Sequence, residues 1–355
     1  MRAGVAIASA MLLVASCGGG RERPSTPLDP GAAGIDSGRG VVPGDDAGTH
    51  EEPCSELDPR SEPPEVFVAP EGVESLFVDH ISAATSTLLV SIYMLSTDAI
   101  VGALEDAAAR GVSVRVIVDR DQTENLAARD RLAAAGADVR LSPEVFTHYH
   151  VKSIVIDGAA AIVFSGNFND YSMRTERNHG VVLHDADDIA DLELLFEEDW
   201  NQAISRVDLS CTRLVVSPNN SRERIEGLMR RATGTLRIQH LSFSDDEARE
   251  VVRERVAAGV NVRVLLADPG WIEGNAEAAT ALRALGADVR YFVRLENHAK
   301  LIVSDDAAAF VGSENLSWTS LQQNREVGVV LTDAPSIDTL ASAFEADWSA
   351  ATPAP

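Results

Sequence analysis

Lysine is almost missing from this 355-residue chain: of 30 basic residues 28 are arginine, and the two lysines are Lys152 and Lys300. Long apolar runs are missing too. The stretch 5–15 is too short to span a bilayer and no later segment offers about 18 uncharged apolar residues, which excludes a helical integral membrane protein. Cysteine occurs three times, with no CxxC pair and no histidine cluster at metal-ligand spacing, so no metal and no cofactor is expected. Positive charge is scarce, the formal balance being −25. A nonspecific nucleic-acid binder draws its affinity from many Lys and Arg contacts to phosphate, so nucleic acid is not the expected partner.

Aromatic residues are absent from 18–64, which holds eight of the fifteen prolines and nine of the 25 glycines. Such a segment buries too little surface to order itself and is expected to be a tether over 17–64. Before it, residues 1–16 form a signal segment ending in Val14-Ala15-Ser16-Cys17. That ending resembles a bacterial lipobox, which implies lipidation of Cys17, export, and anchoring to the cell envelope, at the periplasmic face of the outer membrane in a Gram-negative cell. Cys54 and Cys211 remain for one disulfide, a pairing that an exporting compartment permits.

From 65 onward the composition becomes that of a globular α/β protein, with 45 acids against 25 bases. A shift of 148 residues brings its second half onto its first. Gly111-Val112-Ser113-Val114-Arg115-Val116 then meets Gly259-Val260-Asn261-Val262-Arg263-Val264, and 176–200 matches 324–348 at thirteen of twenty-five positions. Two repeats are expected, 65–205 and 206–350. Each alternates strands and helices: a strand over 88–93, a helix over 98–110, a strand over 112–118, a helix over 125–135, then three short strands and a closing helix. The alternation predicts two pseudo-symmetric repeats, each a mixed sheet flanked by helices, with duplicated residues converging at their interface.

The duplicated residues carry chemistry. HVKSIVID supplies His150, Lys152 and Asp157; HAKLIVSD supplies His298, Lys300 and Asp305. Residues two apart on a strand share a face, so each histidine projects with its lysine. Ten residues beyond each aspartate stand Asn167 and Asn315, preceded by Ser165-Gly166 and Ser313-Glu314. Two imidazoles, two ammonium groups and two amides suit phosphoryl transfer from a diester: one imidazole attacks phosphorus, the other protonates the leaving alkoxide, and lysine and asparagine hold the nonbridging oxygens. Where all other positive charge is arginine, the compact ammonium is kept at the two positions where a point donor to phosphate is needed.

These residues resemble the phospholipase D superfamily, whose signature is a duplicated HxKxxxxD followed by Gly-Ser-x-Asn, and the resemblance covers 65–348. It implies a phosphohistidine mechanism with His150 as nucleophile, His298 as general acid, and Glu326, eleven past Asn315, as the acid orienting a histidine. Ser165 and Ser313 fall in the implied substrate-binding segments. Copy one departs from the signature, with Asn178 at the position of Glu326 and Phe164 at that of Gly312. A carboxylate beside His298 would favour its protonated form and leave His150 neutral and nucleophilic. The leading expectation is therefore a lipid-anchored phosphodiesterase that hydrolyses phospholipid head groups or passes the phosphatidyl group to an alcohol, at a membrane surface and as a monomer. The alternatives are an exported nuclease, a cardiolipin-synthase-like transferase, whose members resemble longer proteins with N-terminal membrane helices, and a lipoprotein that only binds phosphorylated ligands.

The residues outside the constellation take structural roles by default. Asp157 and Asp305, though part of the signature, suit fixing a turn better than moving a proton. His50, His80, His148, His179, His184 and His240 have no histidine at the matching position of the other copy. The Asp199-Trp200 and Asp347-Trp348 pairs suit packing under a closing helix. The acidic run 185–191 suits a solvated helix start.

Overall fold

The computed structural model describes residues 55–202, 209 and 211–355. Cys17, the signal segment and the tether up to residue 54 lie outside them. Cys211 is disulfide-bonded, and Cys54, its expected partner, is outside the described residues.

The first half forms β1 (Glu65–Ala69), β2 (Thr87–Ile92), β3 (Ser113–Val118), β4 (Asp138–Leu141), β5 (Lys152–Ile156), β6 (Ala160–Phe164) and β7 (Glu176–Leu183), in the sheet order β1-β7-β6-β5-β2-β3-β4. Pairs β2–β3 and β3–β4 are parallel, each needing a helical crossover, while β5 to β7 and β1 join antiparallel. The second half repeats this with β8 (Leu214–Ser217), β9 (Thr235–His240), β10 (Asn261–Ala267), β11 (Asp288–Phe292), β12 (Glu296–Asn297), β13 (Lys300–Ser304), β14 (Ala308–Gly312), β15 (Glu326–Leu331) and β16 (Thr352–Pro353). Its order is β16-β11-β10-β9-β13-β14-β15-β8. Two mixed sheets in tandem copies is the architecture expected.

Both faces of each sheet are covered, which is why β5, β6, β13 and β14 read as nearly unbroken apolar runs. Along β5, Val155 joins a central cluster that draws on both sheets and both closing helices, while Ile154 and Ile156 face the first half's own outer cluster. The crossover helices end where the sequence predicts. Gly111 (φ 93°) and Gly259 (φ 85°) occupy the left-handed region just past helices Asp98–Ala109 and Asp246–Ala257, a conformation that is strained with any side chain.

The halves are sewn together by reciprocal exchanges. Strand β12 pairs with β7 of the first half through Glu296↔Glu176 and Asn297↔Arg177, and Tyr149 bridges to Arg325 in mirror fashion. Buried Arg325 ion-pairs with Asp199 at 2.6 Å, and Arg177 with Asp347 at 2.8 Å. These are the aspartates of the two Asp-Trp pairs. The tryptophans stack on Phe196 and Phe344 under the closing helices, with Arg140 and Arg290 over their outer faces at 4.0 and 4.5 Å.

Three expectations are corrected. The tether does not run to residue 64: Arg60 Nε donates to Asp188 at 2.6 Å, its Nη1 to the carbonyl of Val330, and Ser61 to Asp185, so 55–64 pack on the body. The second repeat runs past 350, because β16 pairs with β11. The acidic run is not a solvated helix start: Asp185 caps the helix Ala186–Trp200, and Asp185 and Asp188 are buried against Arg213.

Asp157 and Asp305 prove to be turn clamps. Each sits at positive φ after its strand, and Asp157 accepts five hydrogen bonds of 2.8–2.9 Å from the backbone and hydroxyls of residues 85–87. Asp305 accepts four from residues 233–235. They lie at the far end of β5 and β13 from the histidines, outside the site. These hydrogen bonds outweigh burial and hold both carboxyls below their ordinary range. Their stabilisation is therefore complete above about pH 4 and is lost as pH falls through the lowered folded values. Asp157→Ala should cost about 3 kcal/mol, after allowance for the partial exposure of the turn. Denaturant melts at pH 7 and pH 3 measure it, and an equal cost at both would contradict the clamp.

Candidate active site

Each half brings its histidine and lysine to the start of a strand, β5 or β13. The lysines are the most deeply buried charged side chains of the pair of strands, Lys152 being 1% and Lys300 0% exposed. Their four-carbon stems turn back so that Nζ donates to the carbonyl of the histidine two residues earlier, at 2.8 Å in the first half and 2.7 Å in the second. This local turn fixes each ammonium beside an imidazole. Lys300 Nζ also lies 3.2 and 3.3 Å from the ring nitrogens of His298, and donates to the first half's Ser165 carbonyl at 3.3 Å.

The histidines are held across the interface. His150 N donates to the carbonyl of Arg325 and His298 N to that of Arg177, so the residue following each arginine meets the other half's ring. Glu326 Oε2 lies 2.6 Å from His150 Nδ1. Asn178 Oδ1 lies 3.1 Å from His298 Nδ1. The expectation that Glu326 would stand beside His298 is thus wrong: the pseudo-dyad crosses the strands, so each half's orienting side chain serves the other half's histidine.

Glu326 is fully buried and saturated. Its Oε1 accepts from Ser320 Oγ at 2.6 Å and from Asn324 Nδ2 at 2.9 Å. The first half builds the same cluster with its acid and amide exchanged: Glu176 accepts from Ser172 at 2.5 Å and from Asn178 at 3.1 Å, and Glu176 itself is 3.5 Å from His298 Nδ1. The sequence reading missed Glu176. Its signal was Glu-Arg-Asn at 176–178 against Asn-Arg-Glu at 324–326, a swap that a position-by-position alignment scores as two mismatches.

Burial shapes the electrostatics. It pushes His150 down to about 4, against the pull of Glu326 and with a push from Lys152. It also lowers His298 well below the usual histidine range, helped by the charges of Lys300, Lys152 and His150. Burial likewise lowers Lys152, and lowers Lys300 to about 7, both opposed by Glu326.

The other sequence-predicted residues divide. Asn167 is 7% exposed, with its Oδ1 unpartnered among the described residues and its Nδ2 facing only the Met94 sulfur at 3.7 Å, a weak acceptor. Asn315 Oδ1 is likewise buried and unpartnered. Ser165 and Ser313, expected to touch substrate, instead spend their hydroxyls on the framework, Ser165 between Asn178 and His179 N, Ser313 on Val327 N. His179 and His240 are fully buried and pushed down to about 3 by burial, with the charge of Lys300, its partner across the sheet, also lowering His240. Tyr93 packs edge-on to His150 with ring centroids 4.7 Å apart, and Trp271 lies 6.5 Å from His298. Neither aromatic was singled out by the sequence, because the other copy has no aromatic at the matching position.

The chain matches the family described as "Cardiolipin synthase, PLD-like domain" twice, over residues 77–200 and 225–348. It is 25% identical over 307 residues to a probable cardiolipin synthase of Bacillus subtilis, covering 74% of this chain and 61% of that protein. It is 26% identical to a cardiolipin synthase of Clostridium perfringens, covering 72% and 63%. The chain thus spans about three fifths of these relatives' length. The crystal structure of phosphatidylserine synthase from Haemophilus influenzae superposes with a TM-score of 0.63 at 15% identity, over 81% of this chain and 85% of that one, a likeness of fold. Two matched copies, together more than half of the sequence, show that the chain belongs to the phospholipase D superfamily, with two PLD-like domains in tandem.

Proposed function

We propose that the protein is a phosphatidyltransferase that moves a phosphatidyl group from a phospholipid to an alcohol through a phosphohistidine on His150. The observation that carries this is the crossed pairing of Glu326 with His150 and of Asn178 with His298, with Lys152 Nζ on the His150 carbonyl and Lys300 Nζ beside the His298 ring. Donating Nδ1–H to Glu326 leaves His150 Nε2 with its lone pair free to attack phosphorus. As the P–N bond forms, the P–O bond to the leaving alcohol breaks, and that oxygen takes a proton from His298. The entering alcohol then gives its proton to His298 and attacks phosphorus, and the P–N bond breaks. Lys152, Lys300, Asn167 and Asn315 bind the nonbridging oxygens, and the phosphate charge offsets the burial that otherwise lowers both lysines and His298.

Hydrolysis, the leading expectation from sequence, yields here to transfer, because the relatives matching most of the chain are named synthases. Incubating the protein with phospholipid vesicles and an alcohol tests this. The expected product is the new phosphatidyl alcohol in excess over phosphatidate; phosphatidate alone would make the enzyme a hydrolase. Export and lipidation of Cys17 remain part of the proposal, with a metabolic lipid label on wild type and none on Cys17→Ser as the test.

The nucleophile works only when neutral, so kcat/KM should fall as pH drops through about 4 rather than through the ordinary histidine value near 6.5. A pH profile whose acid limb lies at 6–7 would contradict the assignment.

A further inference from the structure

Beside His298 the surface opens into a cavity of about 390 Å³ lined by residues 268, 271, 175 and 292–297. Its indole wall, Trp271, is the aromatic that faces His298, and Asn297 on its floor is the residue preceding that histidine. Trp271 therefore links the cavity to the group that, on the reading above, exchanges a proton with the alcohol oxygen, its ring centroid lying 6.5 Å from that of His298.

The tandem register shows what is particular about this cavity. Asn125 and Asn275 play the same part in the two halves, each bonding the carbonyls at the ends of two parallel strands. Between the matched carbonyls of Asp119 and Ala267 and the asparagines that bond them the second half runs two residues longer, 268–274 against 120–124, and the longer loop supplies Trp271. The residues at matched positions differ. Asp268 stands where the first half has Arg120, and Glu296 where it has His148. The first half's loop has no indole, and its Arg120 is paired with Asp121 at 3.6 Å. The second half's mouth has two carboxylates and an indole face against the single cation Arg294, which is exposed at the rim.

We infer that this cavity is the alcohol subsite of the transfer reaction and that it takes a compact alcohol bearing an ammonium group, such as ethanolamine, held over Trp271 and between Asp268 and Glu296. An ammonium is drawn to an indole face and to flanking carboxylates, whereas an anionic or neutral polyol gains neither interaction. Because bond breaking and bond making pass through the same alcohol position, the same subsite serves the leaving head group and the entering alcohol. The inference rests on the phosphatidyltransfer reading.

The test uses the purified protein with vesicles of phosphatidylethanolamine or of phosphatidylglycerol, and with bis(p-nitrophenyl) phosphate as a diester that carries no ammonium. Wild type should prefer the ethanolamine lipid over the glycerol lipid by about tenfold in kcat/KM. Trp271→Ala, and Asp268→Asn combined with Glu296→Gln, should each lower the ratio of ethanolamine-lipid to p-nitrophenyl-diester kcat/KM by about tenfold. Equal or better use of the glycerol lipid, or an unmoved ratio in both variants, would overturn the subsite while leaving the transfer reading intact. Failure to cleave any of the three diesters would overturn the transfer reading itself, and the subsite with it.

Discussion

Glu326→Gln is expected to lower turnover by three to four orders of magnitude, roughly what removing a buried histidine-orienting carboxylate costs in hydrolases of the Ser-His-Asp type. The physical reason is the tautomer. Ser320 and Asn324 donate to one oxygen of Glu326, so the amide of a glutamine would turn its carbonyl to them and its NH2 to His150 Nδ1. The ring would then accept at Nδ1 and carry its hydrogen on Nε2, the nitrogen that must attack. The acid limb should also move to lower pH, since Glu326 is what raises His150 against burial. A merely structural Glu326 would change thermal stability and leave the pH profile in place. A drop of less than tenfold in turnover would contradict the dyad.

His298→Asn is expected to show the second large effect, one that depends on the leaving group. With a phospholipid, whose alcohol departs as a strongly basic alkoxide, removing the proton donor should cost about 10²- to 10⁴-fold. With bis(p-nitrophenyl) phosphate the departing phenolate needs no proton, and the first step should slow by less than about tenfold. The contrast follows from the leaving group alone, and the half-sites fit the division of roles: His298 meets the neutral Asn178 at 3.1 Å, with Glu176 farther away at 3.5 Å, whereas His150 meets the Glu326 carboxylate at 2.6 Å. Equal losses with both substrates would remove His298 from the acid role.

The duplication, the fold and the convergence of histidine and lysine could be read from the chain because each is local or periodic. The apolar runs that follow Lys152 and Lys300, glycines just past helices, and a shift of 148 residues all survive in one dimension. The partner of each histidine could not be read, because it depends on which strand ends cross the pseudo-dyad. Sequence proximity placed Glu326 with His298, whereas backbone bonds from His150 to Arg325 and from His298 to Arg177 impose the opposite match. The role of Asp185 and Asp188 was hidden for the same reason, since Arg60 and Arg213 come from distant segments.

Glu314 illustrates a further limit. It stands at the x of the Ser-x-Asn segment, fully buried, and burial together with Glu326 pushes it well above the carboxylate range against the pull of nearby backbone N–H groups. The exchange of Phe164 and Gly166 in one copy for Gly312 and Glu314 in the other keeps the filled volume, since a Cβ on Gly312 would collide with the Glu314 carboxyl and one on Gly166 with the Phe164 ring. Two substitutions that look like a lapse from the signature are one steric compensation.

The central claim is that His150 takes the phosphoryl group while His298 handles the proton. Quenching the enzyme in acid-free denaturant during turnover of a phospholipid labelled at phosphorus, then digesting it and locating the label, tests this most directly. The account predicts label on the peptide carrying His150, lost in His150→Asn and accumulating in His298→Asn with an activated diester. Label on His298, or no label under conditions of rapid turnover, would contradict it.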